Sequence, residues 1–376
     1  MSKLEKLIQQ YCPDGVEYVK LDSVCSVMRG KRLTKSQLTS DGKYKVFHGG
    51  IEPIGFYDEW NREGNTTMVI NVGASAGIIG YSSEKFWSSD GCFCLSQSNL
   101  ISGKFLFYYF QTIEGYLMSK VRRAGIPTLD GKILEDLIIP VPPLPVQEEI
   151  VRVLDAFTEL QAELQAELQK RKLQYNYYLD NLLNFKNINR GGQEIKWMKM
   201  SEIGNNLDRK RKPITAGKRV PGQIPYYGAS GLVDYVKDHL FDGDYLLVSE
   251  DGANLLTRTY PIAFSIHGKT WVNNHAHVIE FKERATRKYV EYYLNSIDLS
   301  PWISAGAQPK LTQDSLNKLT IPVPPLAEQQ RIVSILDRFD TLTTDLTQGL
   351  PAEIEKRRQQ YEYYRDKLLT FKRKGA

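Results

Sequence analysis

The chain has 376 residues with a formal net charge of +5 at pH 7, and it contains 22 tyrosines, 14 phenylalanines and 5 tryptophans. This length supports two domains of ordinary size, and the aromatic content excludes a largely disordered chain. The small net charge by itself indicates no particular partner, so local clusters of charge are more informative.

A repeated frame divides the chain. Residues 134–157 and 316–339 share the run Ile-Pro-Val-Pro-Pro-Leu in the same register, at an offset of 182 residues. A second pair of similar segments follows at 170–186 and 356–372. The segments that precede each block are far less alike, so the pattern indicates two variable domains carried on one repeated scaffold.

The first variable segment predicts a domain of short strands with a basic cluster. The strands are predicted at Tyr44–Phe47, Met68–Asn71, Ile78–Tyr81 and Cys92–Leu95, with glycine-rich turns between them. The cations suited to DNA phosphates are Arg29, Lys31, Arg32, Lys35, Arg122 and Arg123. In the loops, Asn71 and Ser75 have the chemistry to contact base edges, although ordinary turn chemistry explains such residues nearly as well.

A long helix is predicted after the first proline-rich block. It should begin near Val146 and continue without Gly or Pro to about Phe185. Its apolar ladder consists of Phe157, Leu160, Leu164 and Leu168. Residues 158–169 repeat a Glu-Leu-Gln-Ala register, and four helical residues add about 6 Å and about 40° of rotation. Such a ladder could act as a ruler between two DNA-reading domains.

The second variable segment predicts a similar domain. Strands are predicted at Tyr245–Ser249, Ile262–Ser265 and His277–Phe281. Its candidate DNA contacts are Arg209, Lys210, Arg211, Lys212, Asn254, Arg258 and Lys310. At an offset of 179, Lys31 and Arg32 coincide with Lys210 and Arg211, and this repetition favours DNA binding by both clusters.

The second long helix repeats the apolar ladder at Phe339, Leu342, Leu346 and Leu350. We predict that the two ladders pair the helices; the alternative is that each helix packs only on its own domain. The run Gly349-Leu350-Pro351 predicts a break, after which Pro351 opens a new helical segment. The tyrosines 175, 177, 178, 361, 363 and 364 are expected to pack between helices rather than to stack on bases.

The predicted boundaries follow from these elements. They are 1–145 for the first recognition domain, 146–189 for the central helix, 190–325 for the second recognition domain and 326–376 for the C-terminal helix.

Motifs for catalysis, cofactors and metals are missing from the sequence. Residues 73–77 form a loop of small residues without the pattern of a phosphate-binding loop or a dinucleotide fingerprint. His267, His275 and His277 lack the partners of a zinc site, so no metal is predicted. The 4 cysteines are expected to be free and buried in a reducing cytoplasm. No run approaches the roughly 18 apolar residues of a membrane span, and no signal peptide is recognisable. We therefore expect a cytoplasmic protein.

The duplicated motifs resemble those of a known family. Two blocks of the form Ile-Pro-x-Pro-Pro-Leu-x-x-Gln, each leading into Ile-Val-x-x-Leu-Asp-x-Phe and then Tyr-x-Tyr-Tyr-x-Asp-x-Leu-Leu-x-Phe, are similar to the specificity subunit of type I restriction-modification systems. The resemblance covers essentially the whole chain. It implies a mixed α/β (α+β) fold with a pseudo-twofold internal repeat, in which two target-recognition domains are separated by a pair of long antiparallel helices.

The same resemblance implies a function and a set of partners. Each domain is expected to read one half of an asymmetric, bipartite target in double-stranded DNA. The helices are expected to dock two methyltransferase subunits, which carry S-adenosylmethionine and methylate adenine, and motor-nuclease subunits join where the system also cleaves. This chain has no Asn/Asp-Pro-Pro-Tyr/Phe motif, so we expect it to have no catalytic site and no cofactor of its own.

Two other functions stay open on the sequence. A coiled-coil scaffold whose variable segments bind protein would not bind duplex DNA with a strong salt dependence. A self-sufficient enzyme would methylate DNA without partner subunits, and the missing motifs argue against it.

Overall fold

The computed structural model describes residues 2–96, 98–185, 195–304 and 308–375. The chain forms two compact units, one of Met1–Gln165 with Glu353–Ala376 and the other of Ala166–Ala352. The predicted boundary at residues 189 and 190 lies outside the described residues.

The described residues form a mixture of helices and strands. The helices are α1 (Lys3–Tyr11), α2 (Gly103–Thr112), α3 (Glu114–Ser119), α4 (Gly131–Glu135), α5 (Leu144–Leu183), α6 (Met200–Ile203), α7 (Asn254–Thr257), α8 (Arg284–Ser296), α9 (Gln313–Lys318), α10 (Leu326–Thr344) and α11 (Leu350–Leu368). The strands are β1 (Tyr18–Lys20), β2 (Val27–Arg29), β3 (Tyr44–Phe47), β4 (Pro53–Tyr57), β5 (Thr66–Ile70), β6 (Ile79–Ser82), β7 (Phe86–Ser88), β8 (Cys92–Leu95), β9 (Ile138–Pro140), β10 (Lys196–Lys199), β11 (Asn205–Asn206), β12 (Pro221–Gly228), β13 (Gly231–Val236), β14 (Phe241–Ser249), β15 (Ala263–Val272), β16 (Ala276–Glu280) and β17 (Thr320–Val323). This composition is the mixed fold expected from the sequence.

In the first unit, small sheets surround a buried centre. Strands β2, β8, β5 and β6 form an antiparallel sheet in that order, and β3 lies between β4 and β7 in a second sheet. All five residues of β5 are buried, which is the pattern of an apolar strand covered on both faces. The core includes Leu21, Leu95, Phe105, Leu154 and Leu369, so elements from both ends of the chain contribute to this unit.

In the second unit, six strands form one sheet in the order β11-β16-β14-β15-β12-β13. Its core combines β14 and β16 with helix α8, whose Tyr289, Val290 and Leu294 are fully buried. Helix α10 contributes Ile332 and Leu336 to the same core. Burial of these apolar side chains is the main favourable contribution to the stability of the unit.

The repeated proline-rich blocks close each domain in the same way. Ile139 in β9 pairs with Val19 in β1, and Ile321 in β17 pairs with Met198 in β10. The block therefore ends each variable segment by pairing with the strand that opens it.

A buried glutamine then holds the proline-rich turn against the following helix. The Gln147 amide donates to the carbonyl oxygens of Pro142 at 2.6 Å and Leu100 at 2.7 Å. The Gln329 amide donates to the carbonyl oxygen of Pro324 at 2.7 Å in the second copy. The prolines of the turn have no N–H to donate to neighbouring carbonyl oxygens. The glutamine side chain supplies the missing donor.

The seven predicted strands are all present, with ends that differ by a few residues, except that β14 begins four residues earlier and β15 extends seven residues further than predicted. The hairpin of β12 and β13 was not predicted, because Pro221, Gly222 and Pro225 break its alternating pattern. Helix α2 was not predicted either. Its sequence is apolar on most sides and gives little helical periodicity.

The predicted long helix and the predicted break are confirmed. Helix α5 begins at Leu144 and ends at Leu183, and α10 ends at Thr344 before α11 begins at Leu350. Leu346 does not continue the apolar ladder as predicted. It lies in the turn between α10 and α11 with a side chain that is 79% exposed, because the Asp345 carboxylate bonds the Thr347 amide and shapes a turn there.

Aromatic contacts join the helices within each unit. In the first unit Phe157 stacks on Tyr364, with ring centres 5.5 Å apart. In the second unit Phe339 stacks on Tyr178, with ring centres 5.2 Å apart, and Tyr175 packs beside it. Each ladder phenylalanine therefore meets a tyrosine of the later motif, and Tyr175, Tyr178 and Tyr364 act in helix packing as the sequence predicted. Tyr177 and Tyr363 are exposed instead.

Of the other ladder positions, Leu168 is buried, whereas Leu160, Leu164, Leu342 and Leu350 are half-buried.

All four cysteines are free and buried, and burial raises the pKa of Cys25 and Cys92 to about 12. Within the described residues, no helix is both long enough and apolar enough to cross a membrane.

Candidate nucleic-acid interface

A tryptophan anchors the basic segment of the first unit. The Lys31 amide donates to the carbonyl oxygen of Ser88 at 2.9 Å, and the Trp87 indole donates to the carbonyl oxygen of Lys31 at 2.7 Å. The side chains of Lys31, Arg32 and Lys35 are exposed, and none forms an ion pair with another described residue. The backbone is held while the cations stay available to an external anion.

The basic segment of the second unit is anchored in the same way. The Lys212 amide donates to the carbonyl oxygen of Val272 at 3.3 Å, and the Trp271 indole donates to the carbonyl oxygen of Lys212 at 2.6 Å. Arg209, Lys210 and Lys212 are exposed, and in the described part of the chain they have no ion-pair partner. Both units thus present free cations on a fixed loop.

These anchors correct the register of the two basic segments. Lys31 is equivalent to Lys212 in the structure, not to Lys210 as the offset of 179 suggested, because the second segment is two residues longer. Sequence reasoning missed the anchors, although Trp87 and Trp271 recur at an offset of 184 residues and could have identified them.

Arg211 differs from its neighbours because its guanidinium lies inside the second unit. It donates to Glu250 at 2.6 Å and lies 3.2 Å from Asp208. The ammonium of Lys310 lies 3.0 Å from the other oxygen of Glu250. Arg211 and Lys310 therefore neutralise internal carboxylates.

His277 completes this buried network. Its Nδ1 lies 2.5 Å from the Asp208 carboxylate, and its Nε2 lies 2.8 Å from the carbonyl oxygen of Leu311. The Leu311 carbonyl oxygen can only accept, so Nε2 carries the hydrogen of that bond. The second Asp208 oxygen accepts from the Val278 amide at 2.9 Å, so the carboxylate is held on both sides.

The charges of the network hold its carboxylates ionised. Burial alone would raise the pKa of Asp208, but the hydrogen bonds of His277 and the Val278 amide, with the nearby charges of His277 and Arg211, together outweigh it and the pKa lies below its usual value. Burial likewise opposes ionisation of Glu250, whose pKa is nevertheless lowered by Arg211 and Lys310. Asp208, Glu250 and His277 are close enough to coordinate a cation, but the two basic side chains already supply the positive charge.

Asn254 and Arg258 also have internal partners. The Asn254 amide bonds both the amide and the carbonyl oxygen of Tyr260, at 2.9 and 3.0 Å. The Arg258 guanidinium donates to the carbonyl oxygens of Leu294 and Ile297 at 3.3 and 2.9 Å, where α8 ends. Cations satisfy unpaired carbonyls at a helix C-terminus, and burial lowers the pKa of Arg258.

The backbone shows which positions of the two units are equivalent. The Leu129 amide donates to the carbonyl oxygen of Asn71 at 2.9 Å, and the Leu311 amide donates to that of Glu250 at 2.8 Å. Asn71 therefore occupies the position of Glu250. By the same alignment Thr128 corresponds to Lys310, since each residue precedes the equivalent leucine.

The neighbouring strands give a second equivalence. Phe93 is opposite Val69 on strand β5, and His277 is opposite Val248 on strand β14. Val69 lies two residues before Asn71, and Val248 lies two residues before Glu250. Where the second unit has the ionic network, the first unit has an amide and an aromatic ring.

In the first unit this region is an open cavity of about 390 Å³. Its lining includes Arg29, Asn71, Phe93, Lys120, Arg122 and Thr128. Asn71 is only 3% exposed, and among the described residues its Oδ1 atom has no hydrogen-bond partner. Three cations at the exposed edge surround a buried amide.

A short hairpin borders the cavity. Arg122 and Thr128 pair by reciprocal backbone hydrogen bonds of 2.9 and 3.0 Å, and Arg123 and Ile126 are exposed between them. Ser75 is half-buried in the loop after β5, and its carbonyl oxygen accepts from the Ile78 amide. The structure therefore brings Arg29, Asn71 and Arg122 together at one cavity.

Comparisons with known proteins identify the family. The model of the type I restriction modification DNA specificity domain matches residues 13–171 and 193–356. The putative type I restriction enzyme specificity subunit S.HindORF215P of Haemophilus influenzae is 40% identical over 183 residues, so the match spans 48% of this chain and about half, 47%, of that relative. The specificity subunit of the Escherichia coli type I restriction enzyme EcoR124I/EcoR124II is 33% identical over 294 residues, covering 71% of this chain and 70% of its own length.

A solved structure shows the same fold. The crystal structure of the type I restriction-modification S subunit from M. genitalium superposes with a TM-score of 0.64 at 19% sequence identity, covering 94% of this chain and 96% of that one. The family match includes most of both variable segments, helix α10 and the first parts of α5 and α11. The chain therefore belongs to the family of type I restriction-modification DNA specificity subunits, and it carries two specificity domains.

Proposed function

We propose that this chain supplies the sequence specificity of a type I restriction-modification complex, with each specificity domain reading one half of a bipartite target in duplex DNA. The main support is that both domains present exposed, unpaired cations on a loop fixed by an equivalent tryptophan. Because the remaining surfaces of the two domains differ, the two half-sites should differ and the target should be asymmetric.

The phosphate contacts are assigned to the available cations. These are Lys31, Arg32 and Lys35 in the first domain and Arg209, Lys210 and Lys212 in the second. Each neutralised phosphate contributes about −0.9 to the slope of log affinity against log salt concentration. Arg211, Asn254 and Arg258 are left out of the interface because their polar atoms are already bonded inside the second unit.

Methylation is assigned to partner subunits. We infer that two methyltransferase subunits bind the helices, that they carry S-adenosylmethionine and that they methylate adenine, while motor-nuclease subunits join where the system cleaves. Tyr177 and Tyr363, which hold equivalent places in the repeated motif, are 64% and 61% exposed and offer two similar docking points. Large amphipathic aromatics are enriched at such interfaces.

Helix α5 is proposed to set the distance between half-sites. Deleting Leu164–Glu167 removes one tetrapeptide of the register and shortens a continuous helix by about 6 Å. We expect the spacer of the recognised target to become shorter. A deletion variant that assembles and methylates with an unchanged spacer would contradict the ruler.

The test of the function is base-resolution sequencing of DNA methylation in cells with and without this gene. The expected result is one asymmetric bipartite motif that is methylated only when the gene and the methyltransferase gene are present. The same motif in the absence of this chain would refute the proposal. The protein-binding scaffold is not favoured, because the match to the DNA specificity domain includes most of both variable segments.

A further inference from the structure

The buried amide of Asn71 lacks the hydrogen bond that a buried polar group normally has. Its Oδ1 atom is enclosed and, within the part of the chain that is described, has no partner. Its backbone is fully used, since the amide donates to Gly91 and the carbonyl oxygen accepts from Leu129. Buried unpaired acceptors are uncommon in folded proteins and call for an explanation such as a missing ligand.

The cavity beside Asn71 has the size and lining of a ligand site. Its volume of about 390 Å³ lies in the range of about 300–1,000 Å³ typical of small-ligand pockets. Phe93 supplies an aromatic surface, and Arg29, Lys120 and Arg122 supply positive charge at the edge. An aromatic ring, a hydrogen-bonding amide and cations together suit a nucleobase with its adjoining phosphate.

The hairpin next to the cavity carries an apolar tip. Ile126 is 69% exposed between the basic residues Arg122 and Arg123 and the proline at position 127. Apolar side chains on DNA-binding surfaces insert between base steps and unstack them. Such a wedge would occupy the space that a displaced base leaves in the duplex.

The second domain lacks both features at the equivalent positions. Glu250 replaces Asn71 and is bound by Arg211 and Lys310, so that position is satisfied internally. Gln308 stands where the first domain has Ile126. At these equivalent positions, the open cavity, the unpaired amide oxygen and the apolar tip occur together in the first domain.

We propose that the Asn71 cavity receives one base extruded from the DNA duplex, which stacks on Phe93 and hydrogen-bonds the side-chain amide of Asn71 while Ile126 fills the gap. The cations at the edge hold the flanking phosphate. This proposal rests on the proposed function, and it concerns a base other than the adenines that the methyltransferase subunits modify.

The experiment uses the complete complex with its methyltransferase subunits and a duplex that carries the target found by methylation sequencing. 2-Aminopurine, which fluoresces when it leaves the base stack, replaces one purine at a time in both half-sites. Because every base pair contains a purine, the scan visits every pair. We expect a rise in fluorescence at the methylated adenines and at one further pair in a single half-site.

Variants identify the cavity. Asn71→Ala removes no hydrogen bond of Oδ1 to another described residue and should fold normally. It should abolish the additional signal, preserve the signal at the methylated adenines and reduce discrimination at that pair by about 5- to 150-fold, which is the range of one specific base contact. Ile126→Ala should weaken the same signal. Arg123→Ala, on the same hairpin, is the control and should lower affinity for all sequences without removing the signal at saturation.

The outcomes separate this proposal from the proposed function. Sequence-specific binding with fluorescence at the methylated adenines alone would overturn the extruded base and leave the function intact. An additional signal that persists in Asn71→Ala would overturn the assignment to this cavity. Failure of the wild-type complex to prefer the target duplex would contradict the proposed function itself.

Discussion

The two specificity domains place different chemistry on the same backbone position. In the first domain Asn71 borders an open cavity and its side-chain oxygen has no partner among the described residues. In the second domain Glu250 accepts from Arg211 and Lys310, and Asp208 and His277 complete a buried network. The two domains share the same strand and turn at this position. The side chain at the position determines whether its polar atoms are paired inside the domain, as for Glu250, or left available to a ligand, as for Asn71.

The largest test of this comparison is to remove the polar side chain at each of the two equivalent positions. Glu250→Ala should destabilise the protein by about 3–5 kcal/mol, because it leaves Arg211 in the interior without its closest counterion. The matched change, Asn71→Ala, should alter stability by less than about 1 kcal/mol because Asn71 Oδ1 has no hydrogen bond to lose among the described residues. Urea unfolding of the full chain measures both. If both variants lost the same free energy of unfolding, Glu250 would not be more tightly bound inside its domain than Asn71 is.

Acid should weaken the ionic network of the second domain. The pKa values of Asp208 and Glu250 are lowered in the folded protein from ordinary values of 3.8 and 4.5. Their ionisation therefore contributes stability that is fully present above those ordinary values and is lost as the pH falls through the lowered values. Asp208→Asn should cost about 2 kcal/mol near neutral pH and less in acid.

Thermal unfolding of wild type and Asp208→Asn between pH 7 and pH 3 checks this prediction. Asp234→Asn is a control because its carboxylate is paired with Arg219 at the surface of the same unit. A difference between wild type and Asp208→Asn that stays constant over the whole pH range would show that the charge of Asp208 is not the cause.

The equivalent phenylalanine–tyrosine contacts of the two units should contribute similar amounts to stability. Phe157→Ala and Phe339→Ala each remove a ring that stacks on a tyrosine and is half-buried. We expect each change to cost about 2 kcal/mol, below the cost of about 3–5 kcal/mol for a fully buried phenylalanine. Hydrogen exchange of the α5 amides shows where each variant is destabilised. If only one of the two variants were destabilised, the two helix contacts would not be equivalent.

The smallest effect on stability is expected at the basic loops. Lys31→Ala and Lys212→Ala should each change the free energy of unfolding by less than about 0.5 kcal/mol, because both side chains are exposed. Each should lower the magnitude of the salt slope of duplex binding by about 1. Titrations of the complex at several salt concentrations measure this. An unchanged slope would remove that lysine from the proposed phosphate contacts.

Much of the fold could be predicted because its signals are local. The break between α10 and α11 follows from Gly349 and Pro351, and the extent of α5 follows from the absence of Gly and Pro after the proline-rich block. The hairpin of β12 and β13 could not be predicted from periodicity, since its prolines and glycines resemble a loop until strand β15 pairs with β12.

The site was predicted less completely because the fate of a polar side chain depends on distant residues. Arg211 looks equivalent to its basic neighbours in the sequence, but it reaches Glu250, which lies 39 residues away. His277 meets Asp208 across 69 residues. Nothing local distinguishes a cation that faces DNA from one that neutralises a buried carboxylate.

The sequence by itself determined the duplication, seven of the strands, the long helix and its broken counterpart, and the presence of a basic segment in each domain. These features depend on residue spacing and on the conformational limits of proline and glycine. The tertiary structure alone decided which cations are free, that Asn254 and Arg258 serve internal turns and helix ends, and that Asn71 borders a cavity where Glu250 closes a network. The physical reason is that burial and pairing of charge are properties of groups brought together by folding, and those groups are far apart in the chain.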